Sequence, residues 1–310
     1  MILTLTANSA LDRLLFVEEF VPGTTMRPHK MVDYVGGKGF DTSIILRCLG
    51  VDTVALGFVA GETGRRLAHL LDGYGIRHDL VWVEGATRLA HVVVETAHHR
   101  HSHLIGGQLL VTPAAIAELS QRYRVHLCEA TWVIMAGTLP PNVPTTLYHT
   151  WIELAHAAQR PTLLDCAGAP MREALAARPT IVKLNWSEFQ QTFGGNATTL
   201  AELQHQAQAL YQREQLTHLV ITCGEAGILA LTPGTTYLAT APIQQAVNAA
   251  GAGDAVSATL VWRLTLGEDW PTALHWAAAV SAAEVLTEGT AEVHLTDAEA
   301  ILPATQVKLI

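Results

Sequence analysis

The chain has 310 residues, 49% of them hydrophobic and 15% charged, with a formal net charge of −9. So large an apolar share argues against disorder and supports a sizeable core, and the acidic balance argues against a general binder of nucleic acid. No apolar run approaches the roughly 18 residues of a membrane span and no basic leader precedes the first strand, so a cytoplasmic protein without a nucleic-acid or membrane partner is expected.

In chain order, apolar β-type runs predict strands at 2–6, 53–59, 131–135, 162–165, 180–184 and 218–222. Helical patterns lie at 40–49, 63–74, 113–123, 144–158 and 198–214, with Pro113 and Pro144 suited to a first helical turn. Strand-then-helix alternation implies an α/β fold with a mostly parallel sheet covered on both faces. Ligands of such sheets bind beyond the carboxyl ends of the strands. Segments 12–35 and 76–107 show β-like alternation without a helix. They read as a small β-sheet lid over the main domain, or as irregular surface hairpins. Cys48, Cys128, Cys166 and Cys223 have no CxxC spacing and read as reduced thiols.

Several motifs could carry chemistry. Gly36-Gly37-Lys38-Gly39 precedes the 40–49 helix. Its glycines would let a ligand approach the backbone, and its lysine would suit a phosphate or a sugar oxygen. A plain strand-to-helix turn has the same pattern. Lys183-Leu-Asn185-Trp-Ser-Glu188 follows a strand. Asn185 and Glu188 share one helix face there and could hold a hydrated Mg²⁺, or they form an N-cap with a capping-box glutamate. Thr222-Cys-Gly224-Glu-Ala-Gly227 reads as a hairpin beside a strand end, where a nucleotide could touch it. His98-His99-Arg100-His101-Ser102-His103 fits no zinc spacing and reads as a solvated turn.

Asn248-Ala-Ala-Gly251-Ala252-Gly253-Asp254 opens a long apolar helical segment. Free amides and the helix dipole there attract anions. A carboxylate in such a place weakens anion binding unless it takes a proton beside the anion, which is what phosphoryl transfer to a hydroxyl requires. A glycine turn with a capping Asp is the plainer alternative.

In this order the motifs resemble those of the ribokinase-like (PfkB) carbohydrate kinases, particularly the 1-phosphofructokinase and tagatose-6-phosphate kinase branch. Thr6-Ala-Asn-Ser-Ala-Leu-Asp12 resembles the family opening T-x-N-P-A-L-D, and Gly57-Phe-Val-Ala-Gly-Glu-Thr-Gly64 resembles G-F-x-G-G-x-x-G. Val21-Pro-Gly with Arg27, Thr87-Arg88, Ala136-Gly-Thr-Leu-Pro140, Leu164-Asp165 and Thr287-Glu-Gly-Thr290 resemble further family segments.

The resemblance implies a single ribokinase-like domain over 1–310, built on a mostly parallel central sheet flanked by helices with a small β-sheet lid. It implies transfer of the γ-phosphoryl of ATP, with Mg²⁺, to a sugar phosphate of the fructose 1-phosphate or tagatose 6-phosphate type. Asp254 would be the general base, and the amides of Gly251, Ala252 and Gly253 the anion hole. Asp12, Gly37, Lys38 and Asp41 would hold the sugar, and Arg27, Lys38 and Arg88 would grip its phosphate. Lys183, Asn185, Thr222, Gly224, Gly227 and Asn248 would line the nucleotide site, with Asn185 and Glu188 organising Mg²⁺ through water. A monovalent cation beside the anion hole and a homodimer through the lid edge complete the expectation.

The chain departs from the family pattern on the acceptor side. Asp41 stands where the family carries Asn, and Thr87-Arg-Leu-Ala90 stands for T-R-T-N. An ionised Asp only accepts hydrogen bonds, whereas Asn also donates. A kinase of an unphosphorylated sugar or nucleoside, or a non-catalytic protein on the same fold, is the alternative reading.

Overall fold

Strands Ile2–Thr6 and Thr53–Val59 are buried at every position, as expected where helices cover both faces of a sheet. They pair in parallel within a ten-stranded sheet. From Ile2–Thr6 the sheet grows one way through Thr53–Val59 to Arg77–Trp82. The other way it passes through Trp132–Ala136, Thr162–Asp165, Ile181–Asn185 and Leu219–Thr222, still in parallel. Ile228–Thr232, Thr235–Thr240 and Gln306–Leu309 extend that side antiparallel. The computed structural model describes residues 1–98 and 100–310. His99, within the histidine-rich segment read above, lies outside the described residues.

Growth in both directions from Ile2–Thr6 makes a topological switch point between that strand and Trp132–Ala136, and the crevice beyond their carboxyl ends is where such sheets bind ligands. Alternate side chains of the strands enter two cores. Leu3, Leu5, Val133 and Met135 join helices Pro113–Leu127, Leu147–Ala157 and Leu200–Arg213. Ile2, Ala55, Ile134 and Leu163 join Lys38–Cys48, Ala252–Thr265 and Trp270–Glu284 on the other face. Each fully buried Leu, Ile, Val or Met side chain among these contributes about 1.5–3 kcal/mol of transfer free energy.

Local chemistry sets the helix starts. Thr112 accepts from the Ala115 N–H ahead of Pro113, and Thr199 and Glu202 form a capping box. Pro144 corrects the sequence reading. It lies before the helix, which begins at Leu147, and its carbonyl accepts from the Leu147 N–H in a preceding turn.

A separate four-stranded sheet runs in the order Lys30–Gly36, Ala10–Val17, Arg88–Glu95, Arg100–Gly106. Its two inner strands are parallel, so it is not a chain of simple hairpins. Of the 76–107 segment, Arg77–Trp82 belongs to the edge of the large sheet instead, because it pairs in parallel with Thr53–Val59. Several contacts join the small sheet to the body. Asp33 accepts from Arg13 within the sheet and from Arg66 of helix Gly61–Gly73, and Thr87 Oγ1 accepts from the Ala60 N–H at 2.8 Å. Among the described residues, no helix is long and apolar enough to cross a membrane.

Candidate active site

Gly251 precedes helix Ala252–Thr265 with φ 112, and no side chain caps this terminus. A Cβ on Gly251 would lie 2.3 Å from Glu284 Oε1 and 2.7 Å from the Ala291 nitrogen, so the turn accepts only glycine. The first amides of the helix, including those of Ala252 and Gly253, have no intrahelical acceptor, and the dipole adds positive potential.

Asp254 sits in that first turn, 7% exposed, with Oδ1 buried and without a hydrogen-bond partner. Burial and the Asp165 carboxylate push its pKa up to about 7, against the opposing pull of Lys38 and Lys183. An oxygen left unpaired in a dry site is poised to accept a proton.

Beside it lies a buried charge cluster. Lys38 Nζ donates to Asp165 Oδ1 at 2.8 Å and to Glu188 Oε1 at 2.7 Å. Lys183 Nζ donates to Asp165 Oδ2 at 2.5 Å, and Ser257 adds a longer bond to the same oxygen. Asp165 is fully buried, yet its pKa falls to about 2, because burial is outweighed by the two lysines and their hydrogen bonds. Lys38 keeps its proton firmly: burial opposes its charge, but Asp165, Asp254 and Glu188 favour it. A Cβ on Gly253 would be 3.4 Å from Lys183 Nζ, so that ammonium lies against the helix N-terminus.

Asn185 and Glu188 form the reciprocal capping box: Asn185 Oδ1 accepts from the Glu188 N–H, and Glu188 Oε2 accepts from the Asn185 N–H. Glu188 is thus bonded through one oxygen to Lys38 and through the other to its own helix start. Asn185, Thr222, Gly224, Gly227, Ala252 and Gly253 line one cleft of about 420 Å³. Much of the rest of its lining comes from the 241–249 loop, whose residues before Asn248 carry no motif in the sequence. Asn248, at the end of that loop, bonds the Glu288 carbonyl and accepts from the Ala250 N–H. Lys183 lies beneath the cleft rather than in its lining.

Of the remaining sequence-predicted residues, Asp12, Asp41 and Arg88 are drawn together, and Arg27 is not. Gly37, with φ 108, begins helix Lys38–Cys48. Asp12 faces Arg88, and burial lifts its pKa to about 6 while Arg88 pulls it down. Arg88, half-buried, donates to the carbonyls of Asn8 and Ser9. Asp41 is 6% exposed with Oδ1 unpartnered. Arg27 stands apart, exposed in the loop between Ala10–Val17 and Lys30–Gly36 and without a hydrogen bond or ion pair among the described residues. Of the described histidines in 98–103, His98 lies in the turn before Arg100–Gly106, while His101 and His103 lie on that strand, opposite Val94 and Val92. Sequence reasoning missed the part played by Asp165, Ser257 and Glu284. A glutamate inside the Ala-rich run 270–284 was the available signal for the last of these.

A profile of the pfkB family carbohydrate kinases matches residues 6–297. D-tagatose-1-phosphate kinase of Bacillus licheniformis is 31% identical over 299 residues, covering 96% of each chain. 1-Phosphofructokinase of Bacillus subtilis is 28% identical, covering 83% of this chain and 84% of that one. The crystal structure of phosphofructokinase-2 from Escherichia coli in complex with potassium superposes with a TM-score of 0.88 at 21% identity, covering 97% and 98%. This chain belongs to the pfkB family of carbohydrate kinases. Its fold is ribokinase-like, and its class is that of the ATP-dependent sugar kinases.

Proposed function

We propose that the chain transfers the γ-phosphoryl of ATP to the free primary hydroxyl of a ketohexose 1-phosphate, of the fructose or tagatose type. The observation that carries this reading is the unpartnered Asp254 carboxyl, tuned to about 7, in the first turn of an uncapped helix. The acceptor class is supported by the names of the two Bacillus relatives, which move the tagatose arm of the expectation from the 6-phosphate to the 1-phosphate.

In this reading Asp254 takes the proton of the acceptor hydroxyl as the oxygen attacks. The amides of Gly251, Ala252 and Gly253 donate to the phosphoryl in flight, and Lys183 adds charge from below. Thr222, Gly224, Gly227 and Asn248 bind the nucleotide. Asp12, Gly37 and Asp41 hold the sugar, and Arg27, Lys38 and Arg88 serve its phosphate. Arg27 would have to arrive with movement of its loop, the small sheet acting as a lid that excludes water.

The oxygens of Asn185 and Glu188 already accept protein hydrogen bonds, a donor set that suits a hydrated Mg²⁺ held through water rather than by direct ligation. When bound, the ion supplies neutralisation of phosphate charge. A monovalent cation beside the 248–251 turn stays within the proposal without residues assigned to it. So does a homodimer through the small-sheet edge Arg100–Gly106, whose Leu104 and Ile105 are exposed.

ADP release from Mg-ATP across sugars, ketohexose phosphates and nucleosides tests the reading, with Asp254→Asn as the blank. Turnover on a ketohexose 1-phosphate that collapses by about 10³-fold or more in the variant is expected. Normal turnover by the variant would overturn the base, and turnover confined to uncharged acceptors would overturn the acceptor class.

A further inference from the structure

Asp41 is one of the positions where the resemblance to the family motif leads one to expect Asn, and its surroundings bear on what an Asp does there. It lies in the first turn of helix Lys38–Cys48, 6% exposed, and its Oδ1 is fully buried with no hydrogen-bond partner. Among the described residues no cation forms an ion pair with it. Asp254 faces it from helix Ala252–Thr265, Glu284 from helix Trp270–Glu284, and Asp12 from the small sheet.

The other neighbours leave that balance unchanged. Lys38, on the same helix, is turned to Asp165 and Glu188. Strands Ile2–Thr6, Thr53–Val59 and Trp132–Ala136, which pack on this helix, carry no ionisable side chain. On Lys30–Gly36, Lys30 pairs with Glu288 and Asp33 with Arg13 and Arg66, while Tyr34 is neutral.

Asp165 is buried as deeply and is held ionised by two lysines. Asp41 has three carboxyl neighbours in place of lysines. Burial, then Asp254, Asp12 and Glu284, drive its pKa well up against the opposing pull of the Gly37 N–H. Glu284 is itself enclosed at 0% exposure, with Oε1 accepting from the Ala291 N–H and Oε2 unpartnered. Burial, with a smaller push from Asp254, lifts its pKa to about 8 against the pull of that N–H, so its charge appears just above neutrality.

We infer that Asp41, buried with Oδ1 unpartnered among other carboxyls, works as a neutral carboxylic acid that donates through Oδ1 to an oxygen of the acceptor, and that Glu284 is a positioning residue that favours the proton on Asp41. The role in acceptor binding rests on the kinase reading; the protonation state does not. A buried donor without a protein partner needs one from outside, and a protonated carboxyl donates where an ionised one only accepts. The pocket thereby recovers the donor that Asn would supply, and it does so without an added negative charge against a phosphorylated acceptor.

Two measurements on the full chain decide this. Infrared difference spectra of wild type against Asp41→Asn, taken at neutral pH without ligand, should show the loss of one protonated-carboxyl band. The pH dependence of the acceptor KM should show a limb on the alkaline side of neutrality, rising about tenfold per pH unit as Asp41 ionises. Asp41→Asn should abolish that limb, and Asp41→Ala should raise KM about tenfold at every pH below it. Glu284→Gln should move the limb to lower pH, since removing a negative neighbour makes Asp41 easier to ionise. An unchanged carboxyl band, or an alkaline limb that survives in Asp41→Asn, overturns the inference. Absence of turnover on every acceptor overturns the kinase reading, and the spectra then still decide the proton on Asp41.

Discussion

Replacing Asp165 with Asn keeps the shape of the side chain and removes one charge from the centre of the cluster. Lys183, 2% exposed, would then have lost its sole carboxylate partner among the described residues, while Lys38 would keep Glu188. Breaking a buried pair from one side costs about 3–5 kcal/mol, because the partner's charge is left without compensation. The pH dependence gives a second measure. The pKa of Asp165 falls from 3.8 to about 2 on folding, equivalent to about 2 kcal/mol in favour of the folded state. A depressed folded pKa contributes stability that is complete above the unfolded value and is lost as pH falls through the folded one. The wild type should therefore lose this share between about pH 4 and 2. Urea unfolding read by circular dichroism at several pH values measures both effects. Asp165→Asn should lower the midpoint at neutral pH by the equivalent of about 2–5 kcal/mol and flatten its acid dependence. A variant with the wild-type midpoint and the wild-type acid slope would refute the view that Asp165 is the charge holding both lysines.

Asp254 should show the opposite linkage. Its folded pKa is raised to about 7, so its contribution to stability is lost as pH rises through that value, and Asp254→Asn should be more stable than wild type above pH 7 by about 2–4 kcal/mol, with the gap closing as pH falls toward 4. The wild-type rate should rise with pH through about 7, since the base acts ionised, and a flat rate profile in that range would remove Asp254 from the role. Gly251→Ala forces a Cβ against the backbone of Ala291 at φ 112; thermal melting should report a loss of about 2–4 kcal/mol, and ADP release should drop about 100-fold as the amides shift. Arg88→Ala should raise KM for a ketohexose phosphate at least about tenfold with KM for ATP unchanged, and equal effects on both would exclude a phosphate contact.

The parts of the fold most legible in the sequence were those where one physical requirement acted alone. Strands 2–6, 53–59 and 162–165 have the expected bounds, because burial on both faces demands an uninterrupted apolar run. Residues 77–82 carry the same kind of alternation as a strand of the small sheet, and pairing with Thr53–Val59, outside their own sequence, decides their place. Helix Trp270–Glu284 is Ala-rich and apolar on most sides, so periodicity gives little sign of it. Pro144 obeys its local preference for a turn and still misses the helix by one turn.

The site shows the same division more sharply. The glycine turn at 251 and the acid at 254 are adjacent in the chain, and their chemistry follows from that spacing. The two partners of Lys38 are 127 and 150 residues away, and no local pattern announces them. Asp41, Asp165 and Asp254 are similarly buried aspartates, and composition cannot separate them. Their neighbours do: burial raises all three, two ammonium groups outweigh it at Asp165, an opposed set of lysines and carboxylates leaves Asp254 near 7, and three carboxyls add to it at Asp41. The first state suits a fixed anion that aims lysines, the second a base that exchanges a proton near neutrality, and the third a donor. Moving one cation would convert one of these roles into another. A lysine introduced beside Asp41 should ionise it and weaken binding of an anionic acceptor, read as a raised acceptor KM, even if every backbone atom of the site stays in place.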